Sequence, residues 1–293
     1  MLHRYLDSIA RQCQPVIANR KNGQISSAPE GTNLGLVLHK IPIYAATLGL
    51  GGAIVLAQAP SHSAPSRGGL WAVVQDLCLP AYEAIGVAFP CAEVDIASGL
   101  SRGFAVLRIP GSAAHVLVVP TTRISGIESP ALQSENAPNY WQAAWEARHF
   151  LEEGAGRALA RDEIGMAVNS ASGRSQDQLH IHVACVAPNV AAILRRHQAD
   201  IRGSWAPLRA RLAGDRFWAM RIESENLVHA DPFELLARAL APGRFPMAKQ
   251  TLAVIGATFH DGKPGFYLLT NDPRAAQRDG VSAESLLNDS CAM

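Results

Sequence analysis

The stretch Ser172–Val186, "SGRSQDQLHIHVACV", decides the fold and carries most of the chemistry of this sequence. Its second half, residues 179–186, is an apolar run that follows a loop of small and amide residues, which is the pattern of a buried strand entered from a turn. Successive side chains of a strand point to opposite faces. We therefore expect Gln178, His180 and His182 to share one face of a sheet, while the apolar residues between them enter the core.

The loop before the two histidines offers groups that bind phosphoryl oxygens. Hydroxyl, amide and guanidinium donors all suit anionic oxygens or a leaving group. They are Asn169, Ser170, Ser172, Arg174, Ser175 and Gln176. An imidazole whose tautomer is fixed by a neighbour is a nucleophile. The pattern therefore predicts phosphoryl or nucleotidyl transfer.

Two other interpretations of the histidines stay open. They could be structural residues satisfied by hydrogen bonds, or they could chelate zinc, which needs three or four ligands. The further histidines available for such a site are His115, His149, His197, His229 and His260. Because no Asp, Glu or Cys cluster at ligand spacing and no CxxC pair accompanies the two histidines, we predict no metal and no cofactor.

Strand-like and helix-like segments alternate irregularly along the rest of the chain. Residues 104–109 and 115–120 predict a hairpin across Pro110-Gly111-Ser112, and residues 164–169 predict an antiparallel neighbour for the histidine strand. A helix is predicted from an N-cap at Asn139, with Gln142 in a capping box, to Gly154. This order indicates an α+β fold with an antiparallel sheet rather than a βαβ wind.

The N-terminal part predicts export. Residues 1–40 read as a disordered tail, and residues 41–59, "IPIYAATLGLGGAIVLAQA", contain no charge and are about long enough to span a membrane. The ending Ala57-Gln58-Ala59 has the form of a signal-peptidase site. We predict a cleaved signal or an uncleaved anchor, a linker over 60–70, and a catalytic domain over 71–293 outside the cytoplasm. A buried core helix is the alternative for residues 41–59, and the polar segments on both sides disfavour it.

Cysteine usage agrees with an oxidising compartment. Beyond the apolar segment lie Cys78, Cys91, Cys185 and Cys291, an even number. We expect Cys78–Cys91 and Cys185–Cys291 bridges, although four cysteines allow three connectivities and four free thiols remain an alternative. The formal net charge of +1 gives no basic excess, so nucleic acid is not an expected partner.

These residues resemble two related groups of proteins. "QLHIHVACV" (178–186) resembles the histidine-triad superfamily signature, in which histidines alternate with apolar residues, with Gln178 in the first triad place. Asn169 and the Ser175-Gln176 pair resemble other elements of that superfamily. Longer segments, among them "LCLPAYEAIGVAFPCAEVD", "VLVVPTTRISGIESPAL", "NYWQAAWEARHFL" and "RIESENLVHADPFELLA", are similar to the bacterial CDP-diacylglycerol pyrophosphatase family, over about residues 70–290.

The resemblance implies hydrolysis of CDP-diacylglycerol to CMP and phosphatidate at the inner membrane, with a histidine-triad-like fold. In the middle triad place, His180 would attack the α-phosphorus and form a covalent cytidylyl-histidine. His182 would hydrogen-bond the phosphoryl oxygens or the imidazole, and Ser175 would hold or protonate the leaving group.

The remaining polar groups are expected to bind substrate under the same resemblance. Asn169 would lie near the nucleotide, and Arg174, Gln176 and Gln178 would contact it as well. Because the amide of Gln178 does not titrate, the resemblance leaves the general acid unidentified. The competing functions are an exported histidine-triad hydrolase of another nucleotide pyrophosphate and a non-catalytic periplasmic protein that binds nucleotide or lipid.

Overall fold

The computed structural model describes residues 67–134, 136–240, 245–273 and 281–291. The predicted tail over 1–40 and the apolar segment over 41–59 lie outside the described residues, as does most of the linker. Among the described residues, no helix combines the length and the apolar character needed to cross a membrane. The first described helix begins at Gly69, near the end of the predicted linker.

A large antiparallel sheet organises the described residues. Its strands are β1 Glu93–Asp95, β2 Phe104–Arg108, β3 His115–Pro120, β4 Ile164–Val168, β5 Ile181–Val186, β6 Ala206–Leu212, β7 Asp215–Glu223, β8 Leu252–Thr258, β9 Pro264–Asn271 and β10 Leu287–Asn288. They lie in the order β1-β2-β3-β5-β4-β8-β9-β7-β6, and β10 pairs with the end of β5. Every pairing is antiparallel, so the predicted α+β class with an antiparallel sheet is confirmed.

Short helices cover the two faces of this sheet. They are α1 Gly69–Val73, α2 Leu79–Ile85, α3 Tyr140–Glu146, α4 His149–Ala155, α5 Pro188–Arg196 and α6 Pro232–Ala239. A π-helical turn, Val74–Cys78, joins α1 to α2. The hairpin predicted across Gly111 is confirmed at β2–β3, and β8–β9 forms a second hairpin. Gly111 and Gly262 adopt positive φ angles of 86° and 79° in the two turns.

The single helix predicted from Asn139 to Gly154 is wrong, because the structure has two helices, α3 and α4, in its place. The break is supported by side chains that bind the freed carbonyl groups: Arg148 donates to the carbonyl of Trp145 at 2.7 Å, and Nδ1 of His149 lies 3.0 Å from the carbonyl oxygen of Glu146. The second helix ends at Gly156, in the left-handed conformation, rather than at Gly154.

Local capping is only partly as predicted. Asn139 is the N-cap of α3, since its Oδ1 accepts from the backbone N–H of Gln142 at 3.1 Å. The capping box is wrong, because the Gln142 side chain instead accepts from the N–H of Leu227 at 2.7 Å and donates to Glu146. A tertiary partner therefore displaced a local one.

The sheet has one continuously covered face and one divided face. On the first face, α3, α4 and α6 pack over a core that includes Ile181 and Val183. On the other face, α1–α2 covers β2 and β3, while α5 and residues 281–287 cover β4, β8 and β9. The boundary between these two covers runs along β3 and β5, and the histidines lie there.

Candidate active site

Strand register brings three histidines together at the boundary between the two covers. His182 of β5 is paired with Leu117 of β3 and with Ala167 of β4, and His115 of β3 is paired with Ala184 of β5. The rings of His180 and His182 are 5.0 Å apart between centroids, and those of His115 and His182 are 5.1 Å apart. The alternation predicted from sequence is confirmed for the histidines, because Ile181 and its apolar neighbours lie in the core of the opposite face. The strand itself begins at Ile181, two residues later than predicted.

A backbone carbonyl fixes the tautomer of His180. Nδ1 of this residue lies 2.7 Å from the carbonyl oxygen of Gln178. Because a carbonyl only accepts, Nδ1 carries the proton and Nε2 keeps its lone pair. Burial lowers the pKa of His180 below its ordinary value, and the nearby charge of Arg174 acts in the same direction. The ring is therefore a neutral imidazole with an unprotonated Nε2.

A relay of hydrogen bonds fixes the tautomer of His182 as well. Oδ1 of Asp289 lies 2.8 Å from Nδ1 of His115, and Nε2 of His115 lies 3.0 Å from Nδ1 of His182. The carboxylate accepts, so His115 is protonated on Nδ1 and accepts the Nδ1–H of His182. Burial and the two neighbouring imidazoles hold the pKa of His182 well below its ordinary value.

The outer nitrogen of His182 is left as an unsatisfied acceptor. Nε2 of His182 is buried and has no hydrogen-bond partner within the described residues. The carboxylate oxygen Oε2 of Glu284 is 3.5 Å away, which is an ion-pair distance without hydrogen-bond geometry. Two acceptor atoms thus face each other beside the nucleophile candidate.

Asn169 ties the C-terminal segment to the site. Its Oδ1 accepts from the hydroxyl of Ser282 at 2.9 Å and from the N–H of Ala283 at 3.0 Å. Its Nδ2 donates to Oε2 of Glu284 at 3.1 Å. The amide therefore positions residues 282–284, and the predicted contact of Asn169 with substrate stays a prediction.

The side chains of Arg174 and Gln176 hold the loop that precedes the histidines. Arg174 is buried and donates twice to the carboxylate of Glu128, at 2.7 and 2.9 Å, and once to Asp177 at 3.1 Å. The Oε1 atom of Gln176 accepts from the N–H of Leu70 at 2.8 Å, at the start of α1. A hydrogen bond from Arg67, supported by Arg174, lowers the pKa of Asp177 to about 2. These contacts favour a positioning role for both predicted substrate-binding residues.

Gln178 and Ser175 differ sharply in their surroundings. Gln178 is fully buried; its Oε1 accepts from the N–H of Ile124, and its Nε2 donates to the carbonyls of Pro120 and Thr122. Ser175 is exposed, and its hydroxyl makes no hydrogen bond to the described residues. The hydroxyl of Ser175 is therefore available to a ligand.

Two disulfides hold segments near the histidine strand, one in the α1–α2 cover and one in the core of the first face. Cys78 is bonded to Cys91 in the α1–α2 cover, and Cys185 of β5 is bonded to Cys291. The second bond links the histidine strand to the segment that carries Glu284 and Asp289. Neither acidic residue stands out in the sequence as a site residue, although the expected Cys185–Cys291 bridge placed their segment near β5.

One cluster in the described residues has the composition of a metal site. Ligand atoms of His115, His182 and Glu284 lie within 4.8 Å of one another. A cation bound by the two imidazoles would displace the hydrogen bond between them, because a ligating nitrogen needs its lone pair. The present arrangement favours a proton relay, and the predicted absence of metal stays a prediction.

A family model and a curated relative agree on one family. The family model described as CDP-diacylglycerol pyrophosphatase matches residues 65–293. A protein of Yersinia pestis named CDP-diacylglycerol pyrophosphatase is 38% identical over 222 residues, which cover 76% of this chain and 83% of that protein. Among solved structures, a DUF4931 family protein from Bacillus cereus matches with a TM-score of 0.37 and 10% identity, over 67% of this chain and 94% of that one.

Proposed function

The chain belongs to the CDP-diacylglycerol pyrophosphatase family and hydrolyses CDP-diacylglycerol to CMP and phosphatidate, and we propose that it does so through a covalent cytidylyl-histidine on His180. One observation carries the proposal: Nδ1 of His180 is held at 2.7 Å by the carbonyl of Gln178, so that Nε2 presents its lone pair. A neutral nucleophile suits an anionic pyrophosphate, because it approaches phosphorus without the repulsion between two anions.

In the first step, Nε2 of His180 attacks the phosphorus of the cytidylyl group. The bond between this phosphorus and the bridging oxygen breaks, and its electron pair leaves with phosphatidate. The ring then carries a positive charge, which the Nδ1–H bond to the Gln178 carbonyl stabilises. The exposed hydroxyl of Ser175 is the group that we assign to the leaving phosphate.

In the second step, water attacks the cytidylyl phosphorus and releases CMP. The P–N bond breaks, its electron pair returns to Nε2 of His180, and the proton lost by the water passes to solvent. His182 lies beside the reacting ring, with its Nε2 as an acceptor. The other predicted binding residues, Asn169, Arg174, Gln176 and Gln178, act in this proposal by holding the two imidazoles and their loop in place.

We further propose that the domain is histidine-triad-like, on the strength of its residue pattern. His180 and His182 occupy the middle and last triad places at the start of a central antiparallel strand. Gln178 occupies the first place, and its amide binds backbone groups of residues 120–124.

The location is also a proposal: the chain is anchored in the inner membrane by residues 41–59 with its catalytic domain in the periplasm, or it is released there after cleavage. The charge-free length of this segment and the two disulfides support it, since disulfides persist in oxidising compartments. Fractionation of cells that carry the full chain, beside a variant with three arginines introduced into residues 41–59, tests it. Recovery of the unchanged chain in the cytosol would contradict the proposal.

Trapping of the intermediate tests the mechanism. The enzyme is mixed with CDP-diacylglycerol labelled in the cytidine, quenched in alkali, and digested for mass spectrometry. We expect the label on His180, and we expect His180→Ala to lose both label and hydrolysis. The matched control is His229→Ala, an exposed histidine outside the site. Full hydrolysis by His180→Ala, or a label on another residue, would refute the proposal.

A comparison of substrates tests the role of the lipid. Turnover of CDP-diacylglycerol is measured beside turnover of CDP-choline, which carries the same cytidylyl group without acyl chains. We expect a higher kcat/KM for the lipid. A preference for the soluble nucleotide would favour the alternative of an exported hydrolase of other nucleotide pyrophosphates.

A further inference from the structure

Two acceptor atoms face each other next to the proposed nucleophile, and neither can satisfy the other. The Asp289–His115–His182 relay places the proton of His182 on Nδ1, so Nε2 offers only a lone pair. Oε2 of Glu284, 3.5 Å away, also offers only lone pairs. A buried acceptor without a donor, such as Nε2 of His182, destabilises the folded protein. Such an atom in a native site calls for a functional explanation.

A molecule with two protons can satisfy both atoms. Water donates one O–H to each acceptor, and its oxygen lone pairs then point away from both of them. The rings of His182 and His180 are 5.0 Å apart, so this water would lie beside a phosphorus atom carried on Nε2 of His180. The pair thus has the composition and the place of a site for the attacking water.

We propose that Glu284 and Nε2 of His182 bind the hydrolytic water, and that Glu284 is the general base of the second step. This inference rests on the covalent intermediate proposed above. The O–H bond to Glu284 breaks and its proton goes to the carboxylate; the water oxygen bonds to phosphorus; the P–N bond breaks and its electrons return to His180. Glu284 then releases the proton to solvent, since 42% of its side chain is exposed.

Electrostatics favours Glu284 over His182 as the final proton acceptor. The cytidylylated ring of His180 is positively charged, so a second imidazolium beside it would be repelled, whereas a carboxylate is attracted. Burial also disfavours the protonated form of His182. Gln178, in the first triad place, has an amide that cannot take up the proton, which leaves this task to a residue outside the motif.

Glu284 is held in place independently of its proposed chemistry. Asn169 donates to the same oxygen, Oε2, at 3.1 Å and accepts from the N–H of Ala283 at 3.0 Å. A glutamine at position 284 can keep the contact with Asn169 through its amide oxygen. Glu284→Gln therefore removes the basicity of this side chain with little change in its anchoring.

Burst kinetics of Glu284→Gln separates the two steps. We expect a normal first-turnover burst of phosphatidate, stoichiometric with the enzyme, and then steady-state release of CMP slowed about 10²–10⁴-fold, the range that general bases contribute. Cytidylyl-His180 should accumulate and be detected by mass spectrometry. The matched control is Glu83→Gln, an exposed glutamate on α2, which should behave as the unchanged enzyme.

Hydroxylamine distinguishes lost basicity from lost structure. It attacks phosphorus at neutral pH without a base, so it should restore turnover of Glu284→Gln and yield the cytidylyl hydroxylamine product. A variant that matches the unchanged enzyme in circular dichroism and urea midpoint, but shows neither burst nor rescue, would overturn the inference. Steady-state turnover near that of the unchanged enzyme, or a slowed burst without accumulated intermediate, would overturn it too. If His180→Ala hydrolyses CDP-diacylglycerol normally, and neither the unchanged enzyme nor Glu284→Gln forms an intermediate, the proposed function itself has failed. The inference then fails with it.

Discussion

Replacement of Gln178 by leucine tests whether this residue in the first triad place supports the site or contacts the substrate. The amide is fully buried and serves three backbone groups, the N–H of Ile124 at 3.3 Å and the carbonyls of Pro120 and Thr122 at 3.2 and 2.9 Å. The leucine side chain has a volume similar to that of glutamine, but Gln178→Leu leaves all three backbone groups without this hydrogen-bond partner.

The expected loss of stability follows from that count. An unpaired buried polar group costs about 1–3 kcal/mol, and two of the three bonds are longer than 3.0 Å, so the lower half of this range applies. We expect Gln178→Leu to lower the free energy of unfolding by about 4 kcal/mol. With a slope of about 3 kcal/mol/M for a domain of this size, the urea midpoint should fall by about 1.3 M.

Gln250→Leu is the matched control for this measurement. Gln250 is also fully buried, but its Nε2 has no partner within the described residues, and its Oε1 accepts a single bond from Thr270 at 3.3 Å. The Thr270 hydroxyl has a second acceptor, the Thr251 carbonyl, at 2.8 Å. We therefore expect a loss of no more than about 1 kcal/mol.

Urea unfolding followed by circular dichroism, together with steady-state kinetics, gives the answer. Equal losses of stability in Gln178→Leu and Gln250→Leu would refute the reasoning from hydrogen bonds. A lower kcat/KM in Gln178→Leu with an unchanged urea midpoint would instead assign the amide to the substrate, as the sequence resemblance predicts.

Other tests address the imidazoles, the C-terminal segment and metal ions. The acid limb of kcat/KM should lie below pH 6.5, because burial lowers the pKa of His180 and its lone pair is lost only as the pH falls through that lowered value; a limb above 6.5 would contradict this. The free energy of unfolding should decrease as the pH falls below 6.5, since the unfolded chain binds a proton that the buried His180 ring does not bind. A urea midpoint that does not change between pH 7 and 5 would contradict this. Joint replacement of Cys185 and Cys291 by alanine should lower kcat about 10–100-fold, because of the two disulfides only Cys185–Cys291 holds the C-terminal segment at the histidines. Replacement of Cys78 and Cys91 should mainly lower stability, and equal kcat values in the two variants would contradict this. Loop entropy for sequence separations of 106 and 13 assigns the two bonds about 5 and about 3 kcal/mol. Chelators should leave kcat unchanged, and a loss that zinc restores would revive the metal site.

Turns, strands and caps that depend only on residues adjacent along the chain could be predicted from the sequence. The turns at Gly111 and Gly262 need positive φ angles, and the strands that flank them alternate or are continuously apolar, so both hairpins follow from local pattern. The N-cap at Asn139 is equally local. The capping box failed at Gln142 because Leu227, distant in sequence, supplied a better partner for its side chain.

Some residues of the candidate site could be predicted from local sequence pattern, and others could not. His180 and His182 stand out in the sequence because a strand places alternate residues on one face. Their partners do not, since His115 reaches His182 only through the order of strands, in which β3 lies beside β5. Glu284 and Asp289 have no motif, and hydrogen bonds and the Cys185–Cys291 bond bring them to the histidines.

The sequence by itself determined the antiparallel class of the fold, the strand next to the proposed nucleophile, and the family to which the chain belongs, because these depend on periodicity and on residues adjacent along the chain. Only the tertiary structure decided which nitrogen of each imidazole carries a proton. A carbonyl two residues away sets the tautomer of His180, and a carboxylate on the C-terminal segment sets those of His115 and His182. Both choices depend on hydrogen-bond distances, which the order of residues does not specify.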